Sequence, residues 1–191
     1  MQTAQEKLTN DLSILAAMAA EMDAYLKEDI LFWRMRDADM PMLTLGGYLM
    51  RQYRLLALVE LLDEGERERL NTAVSQFNNA LVEKVVRFEQ KAISELDTRL
   101  RQWSQYLSEA EWRENPNTNY YPTAVETRVM LNALVDKLHE KPYQLPERIP
   151  ARLVQLDAIL RAHWQSGDFV WPAEWQPAYP QESCWWLYGR P

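Results

Sequence analysis

The chain has 191 residues, of which 47% are hydrophobic and 26% charged, with 5 glycines and a formal net charge of −7. This balance excludes a disordered chain, and an acidic protein without a run of lysines and arginines is a poor candidate for binding nucleic acid. No stretch approaches the roughly 20 apolar residues of a membrane span, and the single cysteine cannot form an internal disulfide. We therefore expect a soluble, cytoplasmic, all-α protein that does not bind a membrane.

Two helices are predicted before residue 63. The first has an apolar stripe from Leu12 to Leu26 that continues to about residue 33, with Thr9 or Asn10 as its cap. The second, residues 44–62, carries a Gly46-Gly47 pair in its first turn. Because each glycine costs about 1 kcal/mol relative to alanine inside a helix, we interpret the pair as a place where another helix packs closely. The alternative is a close approach by a ligand.

The central part of the chain predicts one very long helix, at about residues 64–107. Fifty consecutive residues from 66 to 115 contain no glycine or proline, and Asp63 with Glu66 has the form of a capping box. Such a helix would be about 60 Å long, which exceeds the roughly 40 Å diameter of a compact globule of this size. We therefore expect an elongated bundle or a dimer. Two helices joined by a minor kink are the alternative, with Asn78-Asn79 or Asp97-Thr98 as the weakest points.

Within this stretch, three acid–base pairs are spaced four residues apart in the favoured order. They are Glu83 with Arg87, Glu95 with Arg99, and Asp97 with Arg101. After a loop at 115–119, a capping box of Thr123 and Glu126 is expected to begin a helix that ends near residue 141. A final helix is expected from about residue 150 to Gly167. The predicted fold is therefore an elongated bundle of about five helices, spanning residues 1–167.

Residues 168–191 differ from the rest of the chain because they are rich in both proline and tryptophan. They contain four of the protein's 8 tryptophans and four of its 10 prolines. Prolines at this frequency are incompatible with a regular helix, and so many large aromatic rings argue against a free tail. We predict a non-helical strap, with at most a short pair of strands, that packs on the bundle as part of a single domain.

No catalytic or metal site is predicted, and no cofactor. The histidines, His139 and His163, and Cys184 are too few for structural zinc. Asp136 and His139 share a helix face, but a second such pair, which a di-metal bundle would need, is missing. Cys184 has no histidine near it in sequence, and no nucleophile elbow or phosphate-binding glycine loop occurs.

Two groups of residues are candidates for ligand or partner binding. In the first, Arg51 and Arg54 share a helix face near the glycine pair and Tyr48, where an anion could bind at the helix N-terminus. The alternative is that both arginines pair with acids of neighbouring helices. The second group consists of the aromatic residues of the tail, which are Trp171, Trp175, Trp185, Trp186 and Tyr188. These could contact a partner, or line a pocket for an apolar or cationic ligand; their alternative is packing on the bundle.

The sequence thus favours a non-enzymatic interaction or scaffolding protein with a protein partner, which could be a second copy of itself. The alternative is a small-molecule-binding protein, or an enzyme, with a pocket between helix 2 (44–62) and the aromatic tail. No motif identifies a reaction or a pathway.

Overall fold

The computed structural model describes residues 3–109 and 120–191 and confirms an all-α bundle with a non-helical, aromatic C-terminal region. The predicted loop at 115–119 lies outside the described residues. Six α-helices lie within them: α1 (Ala4–Lys27), α2 (Leu45–Ala57), α3 (Glu64–Val82), α4 (Val85–Ser108), α5 (Tyr121–His139) and α6 (Arg148–Arg161). None of these helices is long and apolar enough to cross a membrane.

Helix α1 begins and ends earlier than predicted. Thr3 forms the capping box at its N-terminus, since its hydroxyl accepts from the Glu6 amide and the Glu6 carboxylate accepts from the Thr3 amide. At the other end, the Lys91 ammonium of α4 donates hydrogen bonds to the carbonyl oxygens of Tyr25, Glu28 and Ile30. A cation suits this end of a helix, so α1 ends at Lys27 rather than near residue 33.

The prediction of one continuous helix at 64–107 is wrong, and the alternative of two helices is the one observed. The Asp63–Glu66 capping box begins α3 as expected. The break, however, falls at Glu83 and Lys84 rather than at either predicted point. Lys84 leaves the helical conformation (φ −132°, ψ 34°), and its ammonium pairs with Asp23 of α1.

The break lets the two halves pack on different neighbours. Helix α3 packs mainly against α1, whereas α4 packs mainly against α5 and α6. An elongated shape and a dimer stay predictions, without the support that a 60 Å helix would have given them.

The last two helices also differ from prediction at their ends. Helix α5 begins at Tyr121 with Pro122 in its first turn, where a missing amide costs nothing. No Thr123 cap forms. Helix α6 ends at Arg161, and Gly167 lies instead in a strand.

The C-terminal region forms the predicted short pair of strands. Strand β1 (Gln165–Phe169) pairs antiparallel with β2 (Tyr188–Arg190). Two short 3-10 helices, Ala173–Ala178 and Trp185–Leu187, lie between them. Gly189 has φ 146°, and a Cβ there would lie 2.1 Å from the Gln165 carbonyl oxygen, so only glycine fits this position. The segment between the strands passes over α2 and α5, where the candidate sites lie.

Candidate functional site

The N-terminus of α2 binds an anion, as its sequence suggested, but the anion is a side chain of the protein. The Gly46 amide donates to both carboxylate oxygens of Glu95 in α4, at 3.1 Å each. Arg99 donates from Nε to the same carboxylate (2.8 Å) and from Nη2 to the Thr44 hydroxyl (3.1 Å). Glu95 is fully buried. The N-terminus of α2 is therefore occupied by the protein's own Glu95 side chain. Glu95 with Arg99 is also the predicted pair spaced four residues apart that forms.

Gly46 also allows α5 to approach α2 closely. A Cβ at this position would lie 2.7 Å from Glu95 Oε1, 3.1 Å from Met130 Cβ and 3.2 Å from Leu134 Cδ1. Distances this short require the neighbouring atoms to move. The interpretation of the glycine pair as a site of close helix packing agrees with this geometry.

Arg51 and Arg54 both pair with one carboxylate of α1. Arg51 Nε lies 3.2 Å from Asp11 Oδ1 and Arg54 Nη1 lies 2.7 Å from Asp11 Oδ2. Arg54 is 2% exposed and also donates from Nε to the Tyr179 hydroxyl (3.1 Å). Tyr48 is buried and stacks on Phe77 at a centroid distance of 4.2 Å. The residues of the first candidate group thus contact other parts of the fold, and both arginines pair with an acid of a neighbouring helix, as the alternative interpretation stated.

Each of the four tail tryptophans lies against an arginine of the bundle. The Arg54 guanidinium carbon is 3.6 Å from the Trp175 ring centroid and 5.1 Å from that of Trp171. Arg128 lies 3.9 Å from Trp186, and Arg161 lies 3.8 Å from Trp185. Cation–π contacts at these distances hold the tail on the bundle.

Hydrogen bonds fix the same segment. The Trp171 indole donates to the Pro122 carbonyl (2.7 Å), and the Tyr121 hydroxyl donates to the Trp186 carbonyl (2.6 Å). The Tyr188 hydroxyl donates to the Tyr179 carbonyl (2.7 Å). Trp171, Trp186 and Tyr188 are buried, whereas Trp175 and Trp185 are half-buried. The second candidate group is thus packed on the bundle rather than displayed to solvent.

A cavity of about 290 Å³ nevertheless remains between α2, α5 and the tail, and we call it the tail pocket. This is the place where the sequence put its alternative site. Its described lining residues are Met50, Tyr53, Val129, Asn132, Ala133, Asp136, Tyr179, Ser183, Cys184 and Trp186. Of the tail aromatics predicted to bind a ligand, only Trp186 is among them.

The tail pocket has an apolar floor and a polar mouth. The floor consists of buried side chains, which are Met50, Val129, Tyr179, Cys184 and Trp186. The mouth consists of exposed Tyr53, Asp136 and Ser183 together with half-buried Asn132. Such a gradient suits an amphipathic small molecule, with its apolar end inward.

Burial changes the titration of three lining groups. It raises the pKa of the Asp136 carboxyl, an effect that His139 and Arg128 oppose. It also raises the pKa of the Tyr53 hydroxyl and of the Cys184 thiol. Because a raised pKa keeps the thiol protonated at neutral pH, Cys184 is not an activated nucleophile.

Sequence reasoning missed most of the tail pocket, although a signal for it existed. Met50 and Tyr53 are three apart on α2, and Val129, Asn132 and Asp136 are spaced by three and four on α5. Each set therefore shares one helix face. Nothing in the sequence indicated that these two faces meet under the tail.

Among the described residues, no group of three or more His, Cys, Asp or Glu side chains is placed to hold a metal ion. Comparison of the chain with protein-family models, with curated proteins and with solved structures finds no match. The geometry of the site is therefore the basis for the function proposed below.

Proposed function

We propose that the protein binds a small organic amine with an apolar body in the tail pocket. The observation that carries the proposal is a pocket whose buried floor is apolar and whose described lining contains one charged side chain, the Asp136 carboxylate, at the mouth. A carboxylate is a favourable partner for an ammonium group.

The volume limits the size of the ligand. At ~30 Å³ for each water molecule, a cavity of about 290 Å³ has room for a ligand of roughly ten non-hydrogen atoms. This lies at the lower end of the range for small-molecule sites. An aromatic or short aliphatic amine fits this description.

The charges already present orient the ligand. Trp186 and Tyr179 have arginines against their rings, Arg128 at 3.9 Å and Arg54 at 5.8 Å. A second cation beside those rings would be repelled. The ammonium group is therefore expected at the mouth, near Asp136 and Tyr53, with the apolar body directed toward Met50 and Val129.

The other functions suggested by the sequence stay predictions. An enzyme would need an activated group in the tail pocket, and the raised pKa of the Cys184 thiol does not favour nucleophilic catalysis. An interaction or scaffolding protein, or a homodimer, would need a surface other than the tail aromatics, which pack on the bundle. Cytoplasmic localisation likewise stays a prediction.

Three ligands with one body and different head groups test the proposal: 2-phenylethylamine, 2-phenylethanol and phenylacetate. Ligand-observed saturation-transfer NMR with the full chain is expected to show binding of the amine, weaker binding of the alcohol and none of the carboxylate. Asp136→Asn is expected to remove the preference for the amine. Asp39→Asn, an exposed acid outside the pocket, is the control and is expected to change nothing.

A variant that fills the cavity separates pocket binding from surface binding. Ala133 lines the tail pocket and is half-buried, so Ala133→Phe is expected to abolish binding of both the amine and the alcohol. Amine binding that survives in Ala133→Phe, or no binding by the unmodified chain, would contradict the proposal.

A further inference from the structure

A second depression lies between α4 and α6 and shares no described residue with the tail pocket. It has a volume of about 750 Å³, and we call it the arginine groove. Its described lining residues are Asp97, Leu100, Arg101, Ser104, Gln105, Ser108, Arg148, Ala151, Arg152 and Gln155. Along α4 it extends over eleven residue steps, or roughly 16 Å at 1.5 Å per residue.

The arginine groove is positively charged on a chain of net charge −7. Its described lining contains three arginines and one acid, Asp97. Asp97 is bound across the groove by Arg148, whose Nη2 lies 3.1 Å from Asp97 Oδ2. The predicted pair of Asp97 with Arg101 therefore does not form, because α6 takes the carboxylate.

Among the residues that the structure describes, Arg101 and Arg152 have only neutral hydrogen-bond partners. Arg101 donates to the Thr98 hydroxyl (3.0 Å), and Arg152 donates to the Ser104 hydroxyl (3.0 Å) and to the Gln155 side chain (3.1 Å). Within the described part of the chain, neither guanidinium has a carboxylate within 4.0 Å. Both are exposed. Two fixed, accessible guanidinium groups on facing helices form a pair of carboxylate receptors.

The groove also offers apolar surface between these charges. Leu100 of α4 and Ala151 of α6 are part of its lining. A free inorganic anion would not use them. A peptide that carries carboxylates on one side and a small apolar side chain between them would contact both kinds of surface.

We propose that the arginine groove binds an acidic segment of a partner protein, with carboxylates on Arg101 and Arg152 and an apolar side chain against Leu100. A nucleic acid is less suited, because three arginines, one already paired, neutralise few phosphates and the net charge of −7 repels a long polyanion. The partner is a protein rich in glutamate or aspartate at the bound segment. This proposal is independent of the tail pocket.

Fluorescence anisotropy with a defined probe tests the assignment. The probe is a fluorescein-labelled twelve-residue peptide of three Glu-Leu-Glu-Ala repeats, and the same peptide with lysine for glutamate is its counterpart. The full chain is expected to bind the glutamate peptide and not the lysine peptide. Affinity is expected to fall as salt is raised from 50 to 200 mM, because exposed ion pairs are screened.

A pair of double variants then locates the binding. Arg101→Gln/Arg152→Gln is expected to weaken the affinity for the glutamate peptide at least tenfold. Arg34→Gln/Arg36→Gln removes the same charge from another exposed position and is expected to leave affinity within twofold. All four positions are exposed, so both variants are expected to fold, which far-UV circular dichroism checks.

Three results would overturn the proposal. The first is no binding of the glutamate peptide by the unmodified chain at millimolar concentration. The second is an equal loss of affinity in the two double variants, which would mean attraction by net charge alone. The third is a twelve-nucleotide single-stranded DNA that competes with the peptide and binds more tightly, which would identify a nucleic-acid groove instead.

Discussion

Helix α2 contacts two polar environments that differ in one respect. At its N-terminus, the Gly46 amide meets the buried carboxylate of Glu95, which is also bound by Arg99. Four and seven residues further on, Met50 and Tyr53 face a cavity of about 290 Å³ with Asp136 at its mouth. The first environment is filled by the protein's own side chains, and the second is left with room for another molecule.

The difference shows how to separate structural from functional polar groups in this molecule. A buried charge requires a partner, and Glu95, Arg99, Asp11 and Arg54 each have one within the fold. Within the described residues, Asp136 has the Asn132 amide as its one hydrogen-bond donor, at 2.9 Å. We therefore expect substitutions in the first environment to change stability, and those in the second to change ligand binding.

The largest effect is expected from removing the tail, which covers Arg54, Arg128, Arg161 and the tail pocket. Deletion of residues 168–191 would expose the apolar surface under Trp171 and Trp186, which are 9% and 4% exposed. Because a buried Trp→Ala change costs about 3–5 kcal/mol, the deletion is expected to lower the melting temperature strongly or to prevent folding.

Single substitutions keep this prediction testable if the shortened chain does not fold. Trp186→Ala is expected to cost about 3–5 kcal/mol in denaturant unfolding, and Trp185→Ala, at a half-buried position, distinctly less. Equal stability of Trp186→Ala and the unmodified chain would mean that the tail is not packed on its own bundle.

A similar loss is expected from Glu95→Ala. The change leaves the buried guanidinium of Arg99 without a carboxylate and the Gly46 amide without an acceptor. Removal of one partner of a buried ion pair costs about 3–5 kcal/mol, measured by urea unfolding. The control is Glu68→Ala at an exposed position of α3, where the change is expected to stay within ~0.5 kcal/mol. Amine binding by Glu95→Ala at temperatures where it is folded is expected to be normal.

Gly46→Ala should destabilise the protein although alanine is the better helix former. The gain of about 1 kcal/mol in helix propensity is smaller than the cost of fitting a Cβ that would lie 2.7 Å from Glu95 Oε1. We expect a net loss of about 1–3 kcal/mol. Gly65→Ala is the matched control, because its Cβ would have its nearest neighbour at 3.4 Å, and its stability is expected to be equal or slightly higher. Equal results for the two glycines would contradict the close packing of α2 with α4 and α5.

The smallest effect is expected from pH acting on amine binding. Burial raises the pKa of Asp136, so the carboxyl becomes neutral at a pH above the ordinary aspartate value of about 3.9. Affinity for 2-phenylethylamine is expected to be constant near neutral pH and to weaken as the pH falls through the raised pKa. Asp136→Asn is expected to bind weakly and without this dependence. A profile that is the same in both proteins would assign the ammonium contact to another group.

The sequence predicted those features that depend on neighbouring residues. The capping box of Asp63 and Glu66, the Glu95–Arg99 pair and the non-helical tail with its short strands all follow from local patterns, and the structure confirms them. The break at Glu83 and Lys84 was missed because no local signal marks it. It depends on α1, which supplies Asp23 for Lys84 and gives α3 a packing partner that α4 does not share.

The sequence predicted the position of the tail pocket but not most of its lining residues. The sequence placed a site between helix 2 and the aromatic tail, but it favoured the conspicuous residues, Arg51, Arg54 and the tryptophans. Those residues are conspicuous because they are large or charged, and for the same reason the fold uses them to bury surface and neutralise charge. The sequence did not group Met50, Tyr53 and Asp136, because their shared role arises only when α2, α5 and the tail are brought together.

The network around Arg54 has a consequence for how the protein is made. Arg54 joins Asp11 of the first helix to Tyr179 near the C-terminus, 168 residues later in the chain. A ribosome synthesises the chain from its N-terminus at about 5–20 residues per second, so Arg54 can reach Asp11 early but lacks its aromatic cover until residues 168–191 have been synthesised. The nascent chain therefore carries a partly covered charge and a row of uncovered apolar positions on α2 and α5 for several seconds. Synthesis of residues 168–191 closes that surface, so a chain interrupted before residue 168 is expected to aggregate.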